Sequence, residues 1–190
     1  MKDYILEIKK LIPDSICKKI ILYHGNGFEE AKVTSDKTDG SVIKNLRNCQ
    51  IKNIQIPSSF GEMITLNYIK SKIHTAVESY KNSGQIKYHQ FYVKGISQLD
   101  ILKYEANSYD AGYKYHVDMG PQTTPRQLSL SICLNNDYEG GEFKFKLGGE
   151  EYQYPQNIGD CIIFPSNFMF PHQVNRITKG TRFALIGWAC

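Results

Sequence analysis

The sequence predicts a mainly β fold with N-terminal helices (an α+β class), whose core is a jelly roll of about eight strands buttressed by the helices. Three observations predict it. Only two segments, both in the first half, have helical spacing; short apolar or alternating runs fill the second half; and the chain holds thirteen Tyr and nine Phe, which suit pleated, half-buried surfaces. An eight-stranded double-sheet jelly roll also offers a cavity between its sheets, where we expect a site.

The composition predicts one globular domain. A chain of 190 residues is large enough to bury one core, and we expect an N-terminal support region over 1–98 and a jelly-roll core over 99–190. The net charge of +4 comes from scattered Lys and Arg without dense basic runs, so no nucleic-acid partner is predicted. The sequence shows neither a signal-peptide pattern nor an apolar run of about 18 residues, so no membrane association is expected. The oligomeric state stays open.

The cysteines indicate a reducing compartment. Five cysteines form an odd set without any C-x-x-C spacing, which argues against a disulfide framework and against a structural zinc site. We therefore expect a cytoplasmic protein.

The first elements of the chain are expected to be a short helix and a loop. Pro13, Asp14 and Ser15 are typical of a helix start, and Gly25 and Gly27 would end that helix. The following stretch, 28–50, is polar and rich in Gly, Asp and Lys without a steady period, and it predicts a loop.

A short strand and a long helix are predicted next. Residues 51–56 favour a strand, and apolar residues recur at helical spacing over 58–81. Asn, Ser and Gly at 82–84 give the helix its stop signal. Both predicted helices are expected to cover the outer face of one sheet.

Beyond residue 84 the pattern predicts only strands, about eight of them. They are expected at 99–104, 113–118, 127–134, 142–147, 151–154, 160–164, 172–176 and 182–188.

A candidate metal site is formed by two histidines and an aspartate. His116 and Asp118 are two residues apart on a predicted strand, where side chains at i and i+2 project from the same face. His172 begins a later strand and supplies a third ligand. Two His and one carboxylate occupy one face of an octahedral metal and leave three positions open, which is typical of non-haem Fe(II) oxygenases. The tripeptide His-x-Asp alone is a weak signal, and the alternative is a surface pair beside a structural histidine.

Arg182 follows His172 by ten residues and is predicted to open the last strand behind the turn of residues 178–181. A guanidinium that points into the cavity needs an anion, and its planar fork matches a carboxylate in a bidentate pair. A dicarboxylate such as 2-oxoglutarate fits this requirement. The alternative is an arginine on a solvated edge.

With these motifs the chain resembles the 2-oxoglutarate/Fe(II)-dependent dioxygenases, specifically the prolyl 4-hydroxylase-like branch that includes the PKHD-type hydroxylases. The resemblance covers residues 99–190, and the order of its motifs matches throughout. The motifs are YEANSYDAGYKYHVD at 104–118, RQLSLSICLNN at 126–136, YEGGEF at 138–143, GDCIIFP at 159–165 and PHQVNRITKGTRFALIGW at 171–188.

The resemblance implies a double-stranded β-helix (jelly roll) in which His116, Asp118 and His172 ligate Fe(II) and Arg182 holds the distal carboxylate of 2-oxoglutarate. Tyr104 is similar to the family's tyrosine that hydrogen-bonds the co-substrate. It also implies O2 as oxidant, release of succinate and CO2, and ascorbate as a candidate reductant. Because relatives that halogenate replace the aspartate of His-x-Asp with a small residue, hydroxylation of a C–H bond is favoured.

Two departures from the family pattern leave the co-substrate contacts open. The loop between Tyr104 and Gly112 is longer than in typical prolyl hydroxylases, so Tyr109 and Tyr113 compete with Tyr104 for the co-substrate.

On the third core strand, some relatives have a second hydroxyl-bearing aromatic. This chain has Ser129, Ser131 and Cys133 there to line the pocket, and we expect Ser131 to contact the co-substrate.

The substrate is less well specified. The family suggests a prolyl residue in a peptide or protein, with free amino acids or lysyl residues as alternatives. The segments 105–111 and 119–125 are expected to border the entrance. Among aromatics, Phe164, Phe168, Phe170 and Trp188 are candidates to exclude water, although core packing is the simpler reading.

Two other function classes compete with the oxygenase. A jelly-roll module that binds a metal or a sugar without turnover would use the same face, but it has no need of a dicarboxylate anchor beside an open metal site. A zinc hydrolase would need an additional general base near the metal, and the sequence places none clearly.

Overall fold

The computed structural model describes residues 1–35, 38–84, 86, 92–120 and 126–190. The described residues form two α-helices, α1 (Asp14–His24) and α2 (Phe60–Lys81), after a single 3-10 turn at Lys2–Tyr4. The strands in chain order are β1 (Leu6–Ile8), β2 (Glu29–Glu30), β3 (Val33–Ser35), β4 (Thr38–Ser41), β5 (Arg47–Asn48), β6 (Gln50–Asn53), β7 (Ile96–Glu105), β8 (Gly112–His116), β9 (Leu128–Cys133), β10 (Tyr138–Gly140), β11 (Phe143–Leu147), β12 (Glu150–Tyr154), β13 (Cys161–Pro165), β14 (His172–Val174) and β15 (Ile177–Ala189).

Both predicted helices are confirmed, and their ends follow from local chemistry. α1 starts directly after Pro13, and a proline there has its fixed φ at no cost in hydrogen bonds. α2 starts at Phe60 because the Ser59 hydroxyl caps it, accepting a hydrogen bond from the Glu62 backbone N–H at 3.2 Å. After Lys81 the chain turns away at Asn82, whose N–H still bonds the Glu78 carbonyl.

The strands form two facing sheets, as a jelly roll requires, and the predicted mainly β fold is confirmed. The larger sheet has the order β1-β13-β9-β15-β7-β6-β2, with β10 added to β15. The smaller sheet has the order β12-β11-β14-β8-β5, and β3 pairs with β4 alone. Every pairing in both sheets is antiparallel.

The period of two along β9 separates the helical side of the larger sheet from the cavity side. Leu128, Leu130 and Ile132 belong to the apolar cluster that also contains the buried faces of α1 and α2. Ser129 and Ser131, on alternate positions, line the cavity between the sheets. The helices therefore cover the outer face of this sheet, as predicted.

Three local predictions are wrong. The stretch 28–50 is predicted as a loop, but its described part contains the short strands β2 to β5. These polar residues form strands because their backbone hydrogen-bonds with neighbouring strands, although the stretch has no apolar face of its own. The turn predicted at 178–181 is part of β15, since β10 pairs with it through a bulge at Gly140. The strand predicted at 113–118 ends at His116.

Most of the predicted entrance loop 119–125 lies outside the described residues, which resume at Arg126. Within the described ranges, neither helix combines the length and the apolar character needed to cross a bilayer. Strands from residues 1–98 are hydrogen-bonded into both sheets, and the division into a support region and a core at residue 98 stays a prediction.

The packing of α2 on the larger sheet predicts a strong position dependence of stability. Ile69 is fully buried against the sheet, whereas Ile64 on the same helix is 52% exposed. Ile69→Ala should lower the free energy of unfolding by about 3 kcal/mol, because it removes buried methyl groups and leaves a cavity. Ile64→Ala is the matched control and should change it by less than about 0.5 kcal/mol. Urea unfolding measures both, and equal effects would contradict this packing.

Candidate active site

The pairing of two neighbouring strands brings the predicted metal ligands together. His116, the last residue of β8, lies directly opposite His172, the first residue of β14. Asp118 follows just beyond the end of β8. One ligand atom from each of the three side chains lies within 4.8 Å of the other two. Oδ1 of Asp118 is 3.7 Å from Nε2 of His116, and Oδ2 of Asp118 is 3.7 Å from Nε2 of His172.

Both histidines are oriented by backbone carbonyls. The Nδ1–H of His116 donates to the Lys114 carbonyl at 2.8 Å, and the Nδ1–H of His172 donates to the Phe170 carbonyl at 3.1 Å. A carbonyl only accepts, so these bonds select the tautomer in which Nε2 carries a free lone pair. Metal-ligating histidines characteristically have such a partner on the other ring nitrogen.

Asp118 is held from two sides, which explains why the chain leaves the sheet there. The Ser129 hydroxyl donates to the Asp118 carboxylate at 2.6 Å and lies 2.8 Å from the Ser166 hydroxyl. The Arg126 guanidinium donates to the Asp118 backbone carbonyl at 3.1 Å, and the Met119 N–H donates to the Ser166 carbonyl. The backbone groups of this segment are thus satisfied outside the β ladder.

Electrostatics keep the ligand set ready for a cation. Burial, reinforced by the nearby His172, lowers the pKa of His116 to about 3, so the imidazole is neutral at physiological pH. Burial acts to raise the pKa of the Asp118 carboxyl, but the two imidazoles and the Ser129 hydroxyl outweigh it and lower that pKa to about 2. The cluster therefore presents the neutral imidazole of His116 beside the ionised carboxylate of Asp118.

Arg182 lies deep in the same cavity and lacks an anionic partner. Its side chain is 1% exposed and lines the cavity. Its guanidinium donates to the Gln156 side-chain oxygen at 3.2 Å, while its Nε is buried without a hydrogen-bond partner. Among the residues that the structure describes, no carboxylate lies within 4.0 Å of it. Burial acts to lower its pKa, but Tyr138 and its other neighbours outweigh burial, and the pKa is raised.

A glycine leaves room for this arginine. Gly141 has φ +70°, and a Cβ added there would come within 2.9 Å of the Arg182 Cδ atom and closer still to the Ile177 side chain. Gly140, the residue before it, also has a positive φ, +80°.

The three competing tyrosines occupy different positions. Tyr104 is fully buried, pairs with Arg182 across β7 and β15, and its hydroxyl has no partner among the described residues. Tyr113 also lines the cavity, where its ring stacks on His116 with 3.4 Å between ring centroids. Tyr109 is 82% exposed and lies outside the cavity lining. The expectation for Tyr104 over Tyr109 is thus compatible with the geometry, while Tyr113 stays open.

The pocket-lining serines differ in role. Ser131 lines the cavity, as predicted, and its carbonyl accepts from the Gln156 side chain at 2.9 Å. Ser129, left as an alternative by the sequence, contacts Asp118 instead. Cys133 is buried beside Tyr138 at 3.5 Å rather than in the lining.

Aromatic rings form the inner wall of the cavity, which encloses about 420 Å³. Phe143 stacks on His172 with 5.4 Å between centroids, and Phe164 meets the same ring edge-on at 4.8 Å. Of the aromatics predicted to exclude water, Phe164, Phe170 and Trp188 are buried. The prediction for Phe168 is wrong, because this residue lies on a surface loop and is 80% exposed.

Sequence reasoning missed two further arginines in the cavity lining, Arg47 and Arg126. Arg126 stacks on Trp188 with its guanidinium carbon 3.7 Å from the ring centroid, and it donates to the Gln98 side chain at 3.2 Å. Gln98 in turn donates to the buried Asp100 carboxylate at 2.6 Å. Arg126 opens the motif at 126–136, but nothing in that motif indicates a cavity contact, since the residues that it touches come from separate segments of the chain.

The residues present fit an iron ion and a dicarboxylate. Two imidazole nitrogens and one carboxylate, with three positions left open, suit non-haem Fe(II) better than a closed tetrahedral zinc site. The Arg182 guanidinium and the Tyr104 hydroxyl are buried donors without enough protein acceptors, and a bound carboxylate would satisfy both.

Comparison with known proteins agrees with this geometry. Residues 101–190 match the family model described as the 2OG-Fe(II) oxygenase superfamily. These residues contain the three candidate ligands, Tyr104 and Arg182. Over these residues the chain is similar to members of this superfamily.

The curated proteins to which this chain is similar include PKHD-type hydroxylases. The one from Psychrobacter sp. (strain PRwf-1) is 38% identical over 86 residues, covering 40% of this chain and 32% of the relative. The one from Prochlorococcus marinus (strain MIT 9301) is 26% identical over 165 residues, covering 85% of this chain and 65% of the relative. The chain thus spans less than two thirds of the length of these relatives.

Solved structures share the fold of this chain. A prolyl hydroxylase from Trichoplax adhaerens, solved with a peptide fragment of the hypoxia inducible factor oxygen degradation domain, has a TM-score of 0.78 and 16% identity, covering 98% of this chain and 83% of its own. A Pseudomonas putida prolyl-4-hydroxylase has a TM-score of 0.72 and 16% identity, covering 98% of this chain and 92% of its own.

The contact between Ser129 and Asp118 predicts an effect on metal affinity. Ser129→Ala should weaken Fe(II) binding about tenfold, because the carboxylate loses the hydroxyl that orients it. Ser131→Ala is the matched control on the same face of β9 and should leave metal affinity unchanged in the absence of 2-oxoglutarate. Anaerobic calorimetric titration with Fe(II) measures both, and equal affinities in the two variants would refute the orienting role of Ser129.

Proposed function

We propose that this protein is an Fe(II)- and 2-oxoglutarate-dependent dioxygenase that hydroxylates an unactivated C–H bond. The observation that carries the proposal is Arg182, a buried cation without a protein anion, in the same cavity as an open set of three metal ligands. The superfamily match and the names of the curated relatives support the same class of reaction.

In this proposal each polar side chain has a defined task. His116, Asp118 and His172 hold Fe(II) on one face. Arg182 binds the distal carboxylate of 2-oxoglutarate, and Tyr104 donates its hydroxyl to the same group, while Ser131 lies in the wall beside them. When bound, iron, 2-oxoglutarate and O2 supply the oxidising power for hydroxylation, with release of succinate and CO2. Ascorbate remains a candidate reductant.

The rest of the cavity positions and shields these groups. The backbone carbonyls at Lys114 and Phe170 fix the two imidazoles with Nε2 toward the metal. Ser129 fixes the rotation of the Asp118 carboxylate. Phe143 and Phe164 pack around His172 and exclude water from that side.

For the substrate we propose a prolyl residue of a peptide or protein, or a related amino acid. The support is the naming of structural neighbours as prolyl hydroxylases, one of them solved with a peptide. We further propose a cytoplasmic location, which rests on the cysteine content of the sequence alone.

The competing class, a jelly-roll module that binds a metal or sugar without turnover, does not account for Arg182. Burying a guanidinium without an anion is costly, and a module that binds only a metal or a neutral sugar gives no reason for that cost.

A spectroscopic titration tests the proposal. Adding Fe(II) and then 2-oxoglutarate without oxygen should produce the metal-to-ligand charge-transfer absorption of the chelate. Arg182→Ala should require about a hundredfold more 2-oxoglutarate for the same absorption, because a charge-assisted bidentate pair is lost. Arg176→Ala, a substitution at an exposed arginine, is the control and should behave like the wild type.

The proposal fails if the wild-type protein binds Fe(II) but develops no charge-transfer absorption with 2-oxoglutarate. The role of Arg182 fails if the wild type and Arg182→Ala saturate at the same 2-oxoglutarate concentration. Incubation with O2 should also convert 2-oxoglutarate to succinate, and peptides or amino acids screened by mass should gain one oxygen atom.

A further inference from the structure

Another arginine of the cavity, Arg47, has no role in the proposed function. Arg47 lies in β5 and pairs with Tyr113 of β8. Its guanidinium carbon is 4.8 Å from the Tyr113 ring centroid, and the Tyr113 ring stacks on His116. The cation is therefore separated from a proposed metal ligand by one aromatic ring.

The hydrogen bonds of Arg47 leave part of its fork available. One terminal nitrogen donates to the Lys32 carbonyl at 3.1 Å, which fixes the side chain, and the Cys49 thiol is a second hydrogen-bond partner. Nε is buried without a partner. Arg126 differs, since it is stacked on Trp188 and bonded to two oxygens. Arg47 is thus a cation in a fixed position, and some N–H donors of its guanidinium have no partner.

The surroundings of Arg47 supply no negative charge in contact with it. Among the residues whose side chains the structure describes, which exclude residues 34–39, no carboxylate lies within 4.0 Å of its guanidinium. Its other neighbours are the thiol of Cys49 and the phenols of Tyr104 and Tyr113, none of which is a carboxylate.

The other acidic residues that line the cavity either pair with other side chains or are exposed. Glu30 pairs with Lys44 at 2.9 Å, and Glu29 is exposed at the mouth. Asp100 accepts hydrogen bonds from Asn53 and Gln98. None of them offers Arg47 the bidentate partner that a guanidinium prefers.

The co-substrate does not supply that partner either, if the proposed function holds. 2-Oxoglutarate has two carboxylates, of which the distal one is assigned to Arg182 and the other to the metal. The remaining anion in the cavity must come from the molecule that is hydroxylated.

We propose that Arg47 binds a carboxylate of the substrate, so that this enzyme prefers substrates with a carboxylate close to the hydroxylated carbon. The inference rests on the proposed function. The carboxylate is either the α-carboxylate of an amino acid or C-terminal residue, or the side chain of a neighbouring Asp or Glu. In both cases the chemistry is a bidentate pair with Arg47 beside the Tyr113 ring.

The test compares probes that differ only in charge. Anaerobic protein loaded with Fe(II) and 2-oxoglutarate is titrated by calorimetry with N-acetyl-L-proline and N-acetyl-L-prolinamide, and with the matched leucine pair. Acetyl-Pro-Asp-amide and acetyl-Pro-Asn-amide test the side-chain source. In the wild type at least one acid should bind about tenfold more tightly than its amide, since hydrogen bonds between charged groups are the strong ones.

The variants then assign the preference to one residue. Arg47→Gln should bind acid and amide equally, and Arg47→Lys should retain part of the preference because it keeps the charge without the fork. Arg176→Gln is the matched control on an exposed arginine and should bind like the wild type. The 2-oxoglutarate concentration that half-saturates the charge-transfer absorption should change less than about twofold in Arg47→Gln, since no pair to the co-substrate is lost.

Several outcomes would overturn the inference. They are equal affinity for acid and amide in the wild type, absence of binding by every carboxylate probe, a preference that survives Arg47→Gln, and a weakened 2-oxoglutarate interaction in Arg47→Gln. The wild-type comparison needs no variant, so a folding defect in Arg47→Gln leaves it decisive. Failure of the charge-transfer absorption in the wild type would instead sink the proposed function.

Discussion

The antiparallel pairing of β8 with β14 is the constraint on which the site depends. It places His116 directly opposite His172, although the two residues are more than fifty positions apart in the chain. Cross-strand neighbours in an antiparallel sheet lie about 5 Å apart, so their imidazoles reach a common point. Asp118 follows at the edge of the same sheet and completes the set.

The larger sheet supplies the opposite wall, and it is rigid because α1 and α2 cover its outer face. β15 runs through the middle of that sheet between β9 and β7. It carries Arg182 on the cavity side while β7 presents Tyr104 beside it. Packing, rather than a counter-ion, therefore holds the Arg182 guanidinium in place, and its charge is available for a ligand.

The charged side chains of the cavity differ in whether the protein supplies them with partners. The metal ligands contribute one negative charge, Arg182 contributes a positive charge at depth, and Arg126 is bonded to oxygens of the protein. Arg47 stands apart, since it donates to the Lys32 carbonyl while its Nε is buried without a hydrogen-bond partner. The binding of an anionic substrate beside Tyr113 would complete this arrangement.

The sequence by itself determined the two helices, the eight core strands and the residues His116, Asp118, His172 and Arg182 as one candidate constellation, because periodicity and motif order are local properties of the chain. It did not determine the pairing of β10 with residues 178–181, the contact of Ser129 with Asp118, or the position of Arg47 in the cavity. Those depend on which strands become neighbours, and strand pairing is decided by the fold as a whole. The family resemblance favoured Tyr104, but only the tertiary structure could show that Tyr104 is buried beside Arg182 while Tyr109 faces solvent, since burial depends on which strands become neighbours.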